Sequence, residues 1–106
     1  MGKASQRKGR TAELELCSLL NQNGFTVRPG NALSFGKEPD IIGIENIHAE
    51  VKRCETVRLS AWMKQASSDA EKFNDGLPVI FHRRSREEWL CTMRLSDWIK
   101  LYSKER

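Results

Sequence analysis

The chain has 106 residues, which is long enough for one domain with a real core and too short for two. Its 39% hydrophobic and 30% charged residues are typical of a soluble globular protein. No apolar run approaches the roughly 20 residues of a membrane span, and the basic start lacks the apolar segment of a secretory signal. The three cysteines are widely spaced and odd in number. These features predict a cytoplasmic protein with reduced thiols, without disulfides or a zinc site.

The first half of the chain predicts one helix and three strands. Residues 1–10 are polar and basic and predict a flexible arm, which leaves 11–106 as a single domain. Thr11 can cap a helix over residues 12–23, and Gly24 can end it. The apolar stripe of this helix is Ala12, Leu16, Leu19 and Leu20.

Strand patterns follow this helix, and they alternate with helical patterns up to the end of the chain. A short strand is predicted over residues 25–28, and 29–38 is an irregular loop. Residues 40–44 and 47–53 predict a hairpin around Glu45 and Asn46. Further on, we expect a helix over 61–74 capped by Ser60, strands over 77–82 and 89–93 joined by a hairpin turn, and a short helix from Ser96. The order α-β-β-β-α-β-β-α predicts an α/β (mixed α+β) sheet flanked by helices.

Charged side chains interrupt the central hairpin. Asp40 stands at the mouth of its first strand, and Glu50 and Lys52 share one face of the second, whereas Ala49 and Val51 face the other way. Charge within a β-rich stretch is costly unless it serves a purpose. Hard divalent cations prefer carboxylate ligands and can neutralise a phosphoryl group that water attacks, while a nearby lysine stabilises the developing charge. The residues therefore predict a site for a metal and a scissile phosphate, which Glu13 can reach from the first helix.

Two motifs carry a resemblance to a known family. Pro39–Asp40, nine intervening residues, and then Glu50–Val51–Lys52 resembles the P-D-(D/E)-x-K nuclease signature. Residues 7–13, R-K-G-R-T-A-E, resemble the opening of archaeal-type Holliday junction resolvases. The resemblance implies a restriction-endonuclease-like core, a homodimer, and Mg²⁺-dependent cutting of four-way or other branched DNA, with Mn²⁺ able to replace Mg²⁺.

The same resemblance assigns roles to individual residues. It implies that Glu13, Asp40 and Glu50 bind metal, that the Val51 carbonyl is a further ligand, and that Lys52 is the catalytic lysine. Gln65, on the second helix beside its core stripe, matches a glutamine that related nucleases often place near the site. Glu15 competes with Glu13 for the helix position, but it points about 200° away around the helix, so only one of them should face the site.

The net charge of +4 is concentrated in two basic clusters, which predict contacts to nucleic acid. The clusters are Arg7, Lys8 and Arg10, and then Arg83, Arg84 and Arg86. The alternative is that these residues are simply solvated surface.

Other readings remain open from the sequence. His48 shares the face of Glu50 but is predicted to be exposed or hydrogen-bonded rather than catalytic. The large aromatic residues are predicted to lie in the core or at a dimer contact: Trp62, Phe81, Trp89 and Trp98. A general or flap-type nuclease of the same fold, or a non-catalytic nucleic-acid-binding module, is the alternative function. A resolvase would act in the cytoplasm, at the nucleoid.

Overall fold

A computed structural model of the protein describes residues 3–30 and 38–104, with side chains described from residue 9 onward. Within these residues, three helices and five strands follow one another in the order α-β-β-β-α-β-β-α, so the predicted order is confirmed. The elements are α1 (Lys3–Gln22), β1 (Arg28–Pro29), β2 (Ile41–Ile42), β3 (Ile47–Arg53), α2 (Leu59–Phe73), β4 (Leu77–Arg83), β5 (Leu90–Met93) and α3 (Leu95–Lys104).

The strands form one mixed sheet in the order β1-β2-β3-β4-β5. All neighbours are antiparallel except β3 and β4, which are parallel. Two parallel strands need a long crossover, and α2 supplies it. Glu50 lies opposite Ile80, and Lys52 lies opposite His82. The two strands that α2 connects, β3 and β4, are the longest strands of this sheet.

Helices cover both faces of this sheet. The side chains of β3 alternate between the two faces, so each helix packs against a different set of them. On one face, Leu16 and Cys17 of α1 pack in a core cluster with Ala49. On the other face, Trp62 and Ala66 of α2 pack against Ile80. Ala49 lies in the first cluster and Glu50 lies opposite Ile80 of the second, so the predicted separation of Ala49 and Glu50 onto opposite faces is confirmed.

The first helix begins earlier than predicted. It starts at Lys3, so Thr11 lies within it and is not an N-cap. The run from Lys3 to Arg10 contains good helix formers, and its polarity does not oppose a helix that continues into an amphipathic segment. Leu19 is 41% exposed, so of the predicted core stripe only Ala12, Leu16 and Leu20 face the core. The predicted division into a flexible arm and a domain stays a prediction.

The boundaries of α2 also differ from the sequence prediction. The helix begins at Leu59, and Arg58 occupies its N-cap position without a side-chain cap bond, so the proposed Ser60 cap is wrong. At the other end, Asn74 adopts a left-handed conformation with φ of 52° and its N–H bonds the Ala70 carbonyl at 2.8 Å. Asn tolerates this conformation better than most residues, and it stops the helix there.

Gly76 sets the start of β4 against the start of β3. Its φ is 136°, and a Cβ at this position would overlap the Asn46 carbonyl group. The close approach lets the Leu77 N–H donate to the Asn46 carbonyl at 2.8 Å. Only glycine fits here, because both the backbone angle and the space exclude a side chain.

The remaining differences concern short elements and one aromatic residue. β1 has two residues and begins at Arg28, which replaces the strand predicted over 25–28, and most of the loop predicted over 29–38 lies outside the described residues. Trp98 is 48% exposed, so it is not a core residue of this chain. Among the helices that the structure describes, none is both long enough and apolar enough to cross a bilayer.

Candidate active site

The site is built where β2 stops pairing with β3. Ile41 lies opposite Ala49, and the Asp40 N–H donates to the Ala49 carbonyl at 3.1 Å. Two residues further along β3, the Asp40 side chain takes the place of a partner strand's carbonyl, because its Oδ2 accepts the Val51 N–H at 2.8 Å. The N–H and carbonyl of one strand residue point to the same side. The Val51 carbonyl therefore points toward the Asp40 side of β3.

Three carboxyl groups from three separate segments (α1, the residue before β2, and β3) meet at this point. The Asp40 carboxyl group lies beside those of Glu13 of α1 and Glu50 of β3, close enough for each to affect the pKa of the other. Burial raises the pKa of Asp40 to about 7, and the charges of Glu50 and Glu13 add to that rise. Burial likewise raises the pKa of Glu13, against the lowering effect of Arg10. Crowded, partly buried carboxylates of this kind would be relieved by a cation.

His48 holds Glu50 from the far side. Its side chain is fully buried, with Nδ1 2.9 Å from both Asp75 carboxylate oxygens and Nε2 3.1 Å from Glu50 Oε1. Burial alone would lower the pKa of His48, but the hydrogen bonds to Glu50 and Asp75 raise it to about 9. His48 is hydrogen-bonded, which the sequence prediction gave as one of its two alternatives, and it is fully buried rather than exposed.

Asp69 and Asp75 are site residues that the sequence prediction missed. A nitrogen of His48 and carboxylate oxygens of Glu50 and Asp69 all lie within 4.8 Å of one another. Burial would raise the pKa of Glu50, but the hydrogen bond with His48 and the neighbouring Asp69 carboxyl group lower it. The signal for Asp69 was its helical spacing, three residues after Ala66 and seven after Trp62, which puts it on the face of α2 that meets the sheet.

Gln65 reaches the cluster through Asp69. Its Nε2 donates to Asp69 Oδ1 at 3.1 Å, one helical turn further along α2. The glutamine therefore lies beside the site, but its contact among the described residues is with Asp69 rather than with Asp40.

Lys52 follows Glu50 on the same face of β3 and lines an open cleft of about 590 Å³. Gly9 of α1, Arg58 and Trp62 line the same cleft. The cleft thus lies between the start of α2 and α1 at Gly9. Arg58 was not identified from the sequence, because nothing in its local pattern distinguishes it from other surface arginines.

The two glutamates of α1 point in different directions, as predicted. Glu13 lies beside Asp40, whereas Glu15 accepts hydrogen bonds from Arg83 at 2.9 and 3.1 Å and from Trp89 Nε1 at 2.9 Å. The Arg83 guanidinium also lies 5.7 Å from the Trp89 ring centre. Arg83 is therefore engaged within the protein.

The other predicted DNA contacts differ in their surroundings. Arg10 donates to the Gly30 carbonyl at 3.1 Å and lies 3.6 Å from Glu13. Arg84 is exposed and pairs with Glu87 at 3.7 Å, and Arg86 is exposed in the turn with φ of 64°. The side chains of Arg7 and Lys8 lie outside the described ones. Contact between any of these residues and DNA stays a prediction.

Comparison with known proteins gives a structural likeness and no sequence match. No family model matches the chain, and no curated protein matches it. A solved structure of Hjc from Archaeoglobus fulgidus, a Holliday junction resolvase from an archaeal hyperthermophile, is similar with a TM-score of 0.59 and 19% identity. The likeness covers 76% of this chain and 72% of that one. The chain has a restriction-endonuclease-like fold. The fold predicted from the two motifs is therefore confirmed, and at this identity the likeness concerns the fold alone.

Proposed function

We propose that the protein is a metal-dependent endodeoxyribonuclease that hydrolyses phosphodiesters in branched DNA, as a Holliday junction resolvase. The observation that carries this proposal is the meeting of Glu13, Asp40 and Glu50, from three separate segments of the chain, at the point where β2 and β3 part. Sequence motif and three-dimensional position agree at these residues. A fold similar to that of a resolvase supports the same reading.

The donor set fits a hard divalent cation. Carboxylate and carbonyl oxygens are the ligands that Mg²⁺ and Mn²⁺ prefer. Asp40 and Glu50 would hold the ion with the Val51 carbonyl, and Glu13 would reach it from α1. When bound, such an ion supplies charge neutralisation at the phosphoryl oxygens and a more acidic water. The raised pKa of Asp40 supports this assignment, because a bound cation would stabilise the charged form that burial disfavours.

Lys52 would act on the phosphate itself. It projects from the same face as Glu50 and lines the cleft, so its ammonium can approach a phosphate that lies against the carboxylates. There it would stabilise the charge that develops on the phosphoryl group or orient the attacking water. Gln65 would act less directly, by positioning Asp69.

DNA would enter along the cleft that Lys52 and Arg58 line. Without a cation, clustered carboxylates repel phosphate, so positive charge beside them is needed to bring DNA close. Arg7, Lys8 and Arg10 precede the site on α1 and would extend that contact. A homodimer would present two such sites to a two-fold symmetric junction, and an enzyme of this kind would act in the cytoplasm, at the nucleoid.

One cleavage assay tests the proposal. The purified protein is incubated with a labelled four-way junction, a flap and a linear duplex, in Mg²⁺, Mn²⁺ or EDTA. We expect paired symmetric nicks in the junction with either ion, no cutting in EDTA, and loss of cutting in Asp40→Asn and Lys52→Ala. Exposed residues give matched controls, because Glu71→Gln on α2 and Lys100→Ala on α3 remove the same charges away from the site.

The outcomes separate the alternatives. Equal cutting of all three substrates would replace the resolvase reading with a general or flap-type nuclease. Tight junction binding with no cleavage in any metal would leave a non-catalytic binding module. Cleavage that survives both site substitutions would show that the carboxylate cluster is not the active site.

A further inference from the structure

His48, Glu50 and Asp69 converge on one point beside the proposed site. One nitrogen and two carboxylate oxygens lie within 4.8 Å of one another. His48 Nε2 and Glu50 Oε1 are 3.1 Å apart, close to the spacing of about 3.4 Å between neighbouring ligands of a tetrahedral ion with bonds of about 2.1 Å. Small rotations of the Glu50 and Asp69 carboxylates would bring all three ligand atoms to this spacing.

The histidine is fixed by its other nitrogen. Asp75 binds Nδ1 through both carboxylate oxygens, so Nε2 is the atom that faces Glu50 and Asp69. The ring is fully buried and lies 5.6 Å from the Phe73 ring, which limits its rotation. A carboxylate that holds one histidine nitrogen and directs the other toward an ion is the usual support of a metal-binding histidine.

Support extends to Asp69 as well. Gln65 donates to Asp69 Oδ1 at 3.1 Å and so restrains the Asp69 carboxylate. Asp69 and Glu50 are partly exposed, so an ion has a route to the buried histidine from the α2 side. Glu50 lies in the middle, since it contacts Asp40 on one side and Asp69 on the other.

We propose that His48 Nε2, Glu50 and Asp69 form a second cation position, which takes a borderline transition metal such as Zn²⁺ in preference to Mg²⁺. Imidazole nitrogen suits Zn²⁺ and similar ions, whereas Mg²⁺ is bound almost entirely by oxygen. Asp75 and Gln65 are the positioning residues of this position. This second position shares Glu50 with the proposed Mg²⁺ site at Asp40. Cation binding there does not depend on which reaction the protein performs.

Nitrogen NMR of the histidine rings tests this directly. The chain has two histidines, so His82, which bonds Thr92 at 2.8 Å, serves as an internal reference. The protein carries Cys54→Ser and Cys91→Ser, because both thiols are exposed and would themselves bind Zn²⁺. On addition of Zn²⁺, we expect the His48 Nε2 resonance to move to the metal-bound range with the proton kept on Nδ1, and His82 to stay unchanged. Millimolar Mg²⁺ should not produce this shift.

Zn²⁺ affinity measured by calorimetry adds matched variants. We expect Asp69→Asn to weaken Zn²⁺ binding at least about tenfold, and Asp75→Asn about tenfold through the histidine it orients. Glu71→Gln, an exposed change on the same helix, should leave the affinity unchanged. Saturating Zn²⁺ that leaves both His48 nitrogens unmoved would overturn the proposal, as would undiminished affinity in a folded Asp69→Asn protein.

The two proposals fail in different ways. Junction cleavage in Mg²⁺ that needs Asp40, with no Zn²⁺ effect on His48, would leave the nuclease and remove the second position. A His48 shift with Zn²⁺ and no cleavage of any DNA would do the reverse.

Discussion

Asp40 Oδ2 accepts the Val51 N–H at 2.8 Å, and this bond stands where the pairing of β2 with β3 would otherwise continue. One carboxylate thus takes over from a strand pairing and also lies beside the carboxyl groups of Glu13 and Glu50. The same residue serves the backbone and the site. These two tasks can be separated by substitution, because the backbone bond needs only an oxygen acceptor whereas a metal site needs charge.

Asp40→Asn should therefore abolish cleavage while making the metal-free protein more stable. The amide oxygen keeps the Val51 bond, and the substitution removes a charge that is costly here, since the pKa of Asp40 is raised to about 7. We expect the free energy of unfolding at pH 8 in EDTA to rise by about 1–3 kcal/mol. Urea denaturation measures this. A clear loss of stability would mean that the carboxylate is needed by the fold rather than by a cation.

The stability of the metal-free protein should fall as pH rises from 6 to 9. His48 has a pKa of about 9 in the folded protein against an ordinary 6.5, so the native state holds its proton more tightly and its contribution is lost through this window. We expect a loss of about 3 kcal/mol, to which the raised pKa of Asp40 adds at the lower end. Denaturation curves in EDTA at several pH values provide the measurement.

His48→Gln gives the control for this pH dependence. Glutamine can still donate to Glu50 or Asp75 but does not titrate, so the curve above pH 7 should flatten. An unchanged slope in this variant would assign the effect to other groups. In the native protein, a saturating divalent cation should also reduce the slope, because it stabilises the charged carboxylates that surround the histidine.

Much of this fold was readable from local patterns. The strand over residues 47–53 was predicted with its observed bounds, because alternation along β3 separates Ala49 from Glu50. The stripe of α2 was equally clear, with Trp62 and Ala66 buried. These elements are long enough for their own periodicity to identify them.

What the sequence did not predict depends on contacts between distant residues. The two-residue strand β1 exists only because it pairs with β2. The burial of His48 depends on Asp75, which is 27 residues away in the chain and lies beyond the end of α2. The hydrogen bonds between Arg83 and Glu15 likewise join residues that are 68 positions apart. No local pattern carries that information.

Arg58→Ala should weaken DNA binding without affecting the fold. Arg58 is exposed at the start of α2 and lines the cleft of Lys52. If it contacts one phosphate, the slope of log affinity against log salt concentration should decrease in magnitude by about 0.9. Fluorescence anisotropy with a junction in EDTA measures this, and Lys72→Ala on the far end of the helix is the matched control. An unchanged salt slope would exclude Arg58 from the DNA contact.

Dimer formation should depend on the exposed apolar side of α3. Its exposed large side chains are Leu95, Trp98, Ile99 and Tyr102, and the last aromatic ring stacks on the Trp98 ring at 5.0 Å. If the protein is a homodimer through this helix, Trp98→Asp should yield a monomer by light scattering, whereas Lys100→Ala should not. A native protein that is monomeric at all concentrations would contradict both the dimer and its proposed surface.

The neighbouring glutamates of α1 should show opposite phenotypes when each is changed to glutamine. Glu13→Gln removes a carboxylate that contacts Asp40, so cleavage should fall by at least about tenfold while stability holds or rises. Glu15→Gln weakens the bonds to Arg83 and Trp89, so it should lower the free energy of unfolding by about 1 kcal/mol and leave cleavage intact. Both substitutions remove one charge from the same helix, so each is the control for the other. Cleavage assays and urea denaturation of both proteins test this pair of predictions. Loss of cleavage in a stable Glu15→Gln protein would show that Glu15, rather than Glu13, belongs to the active site.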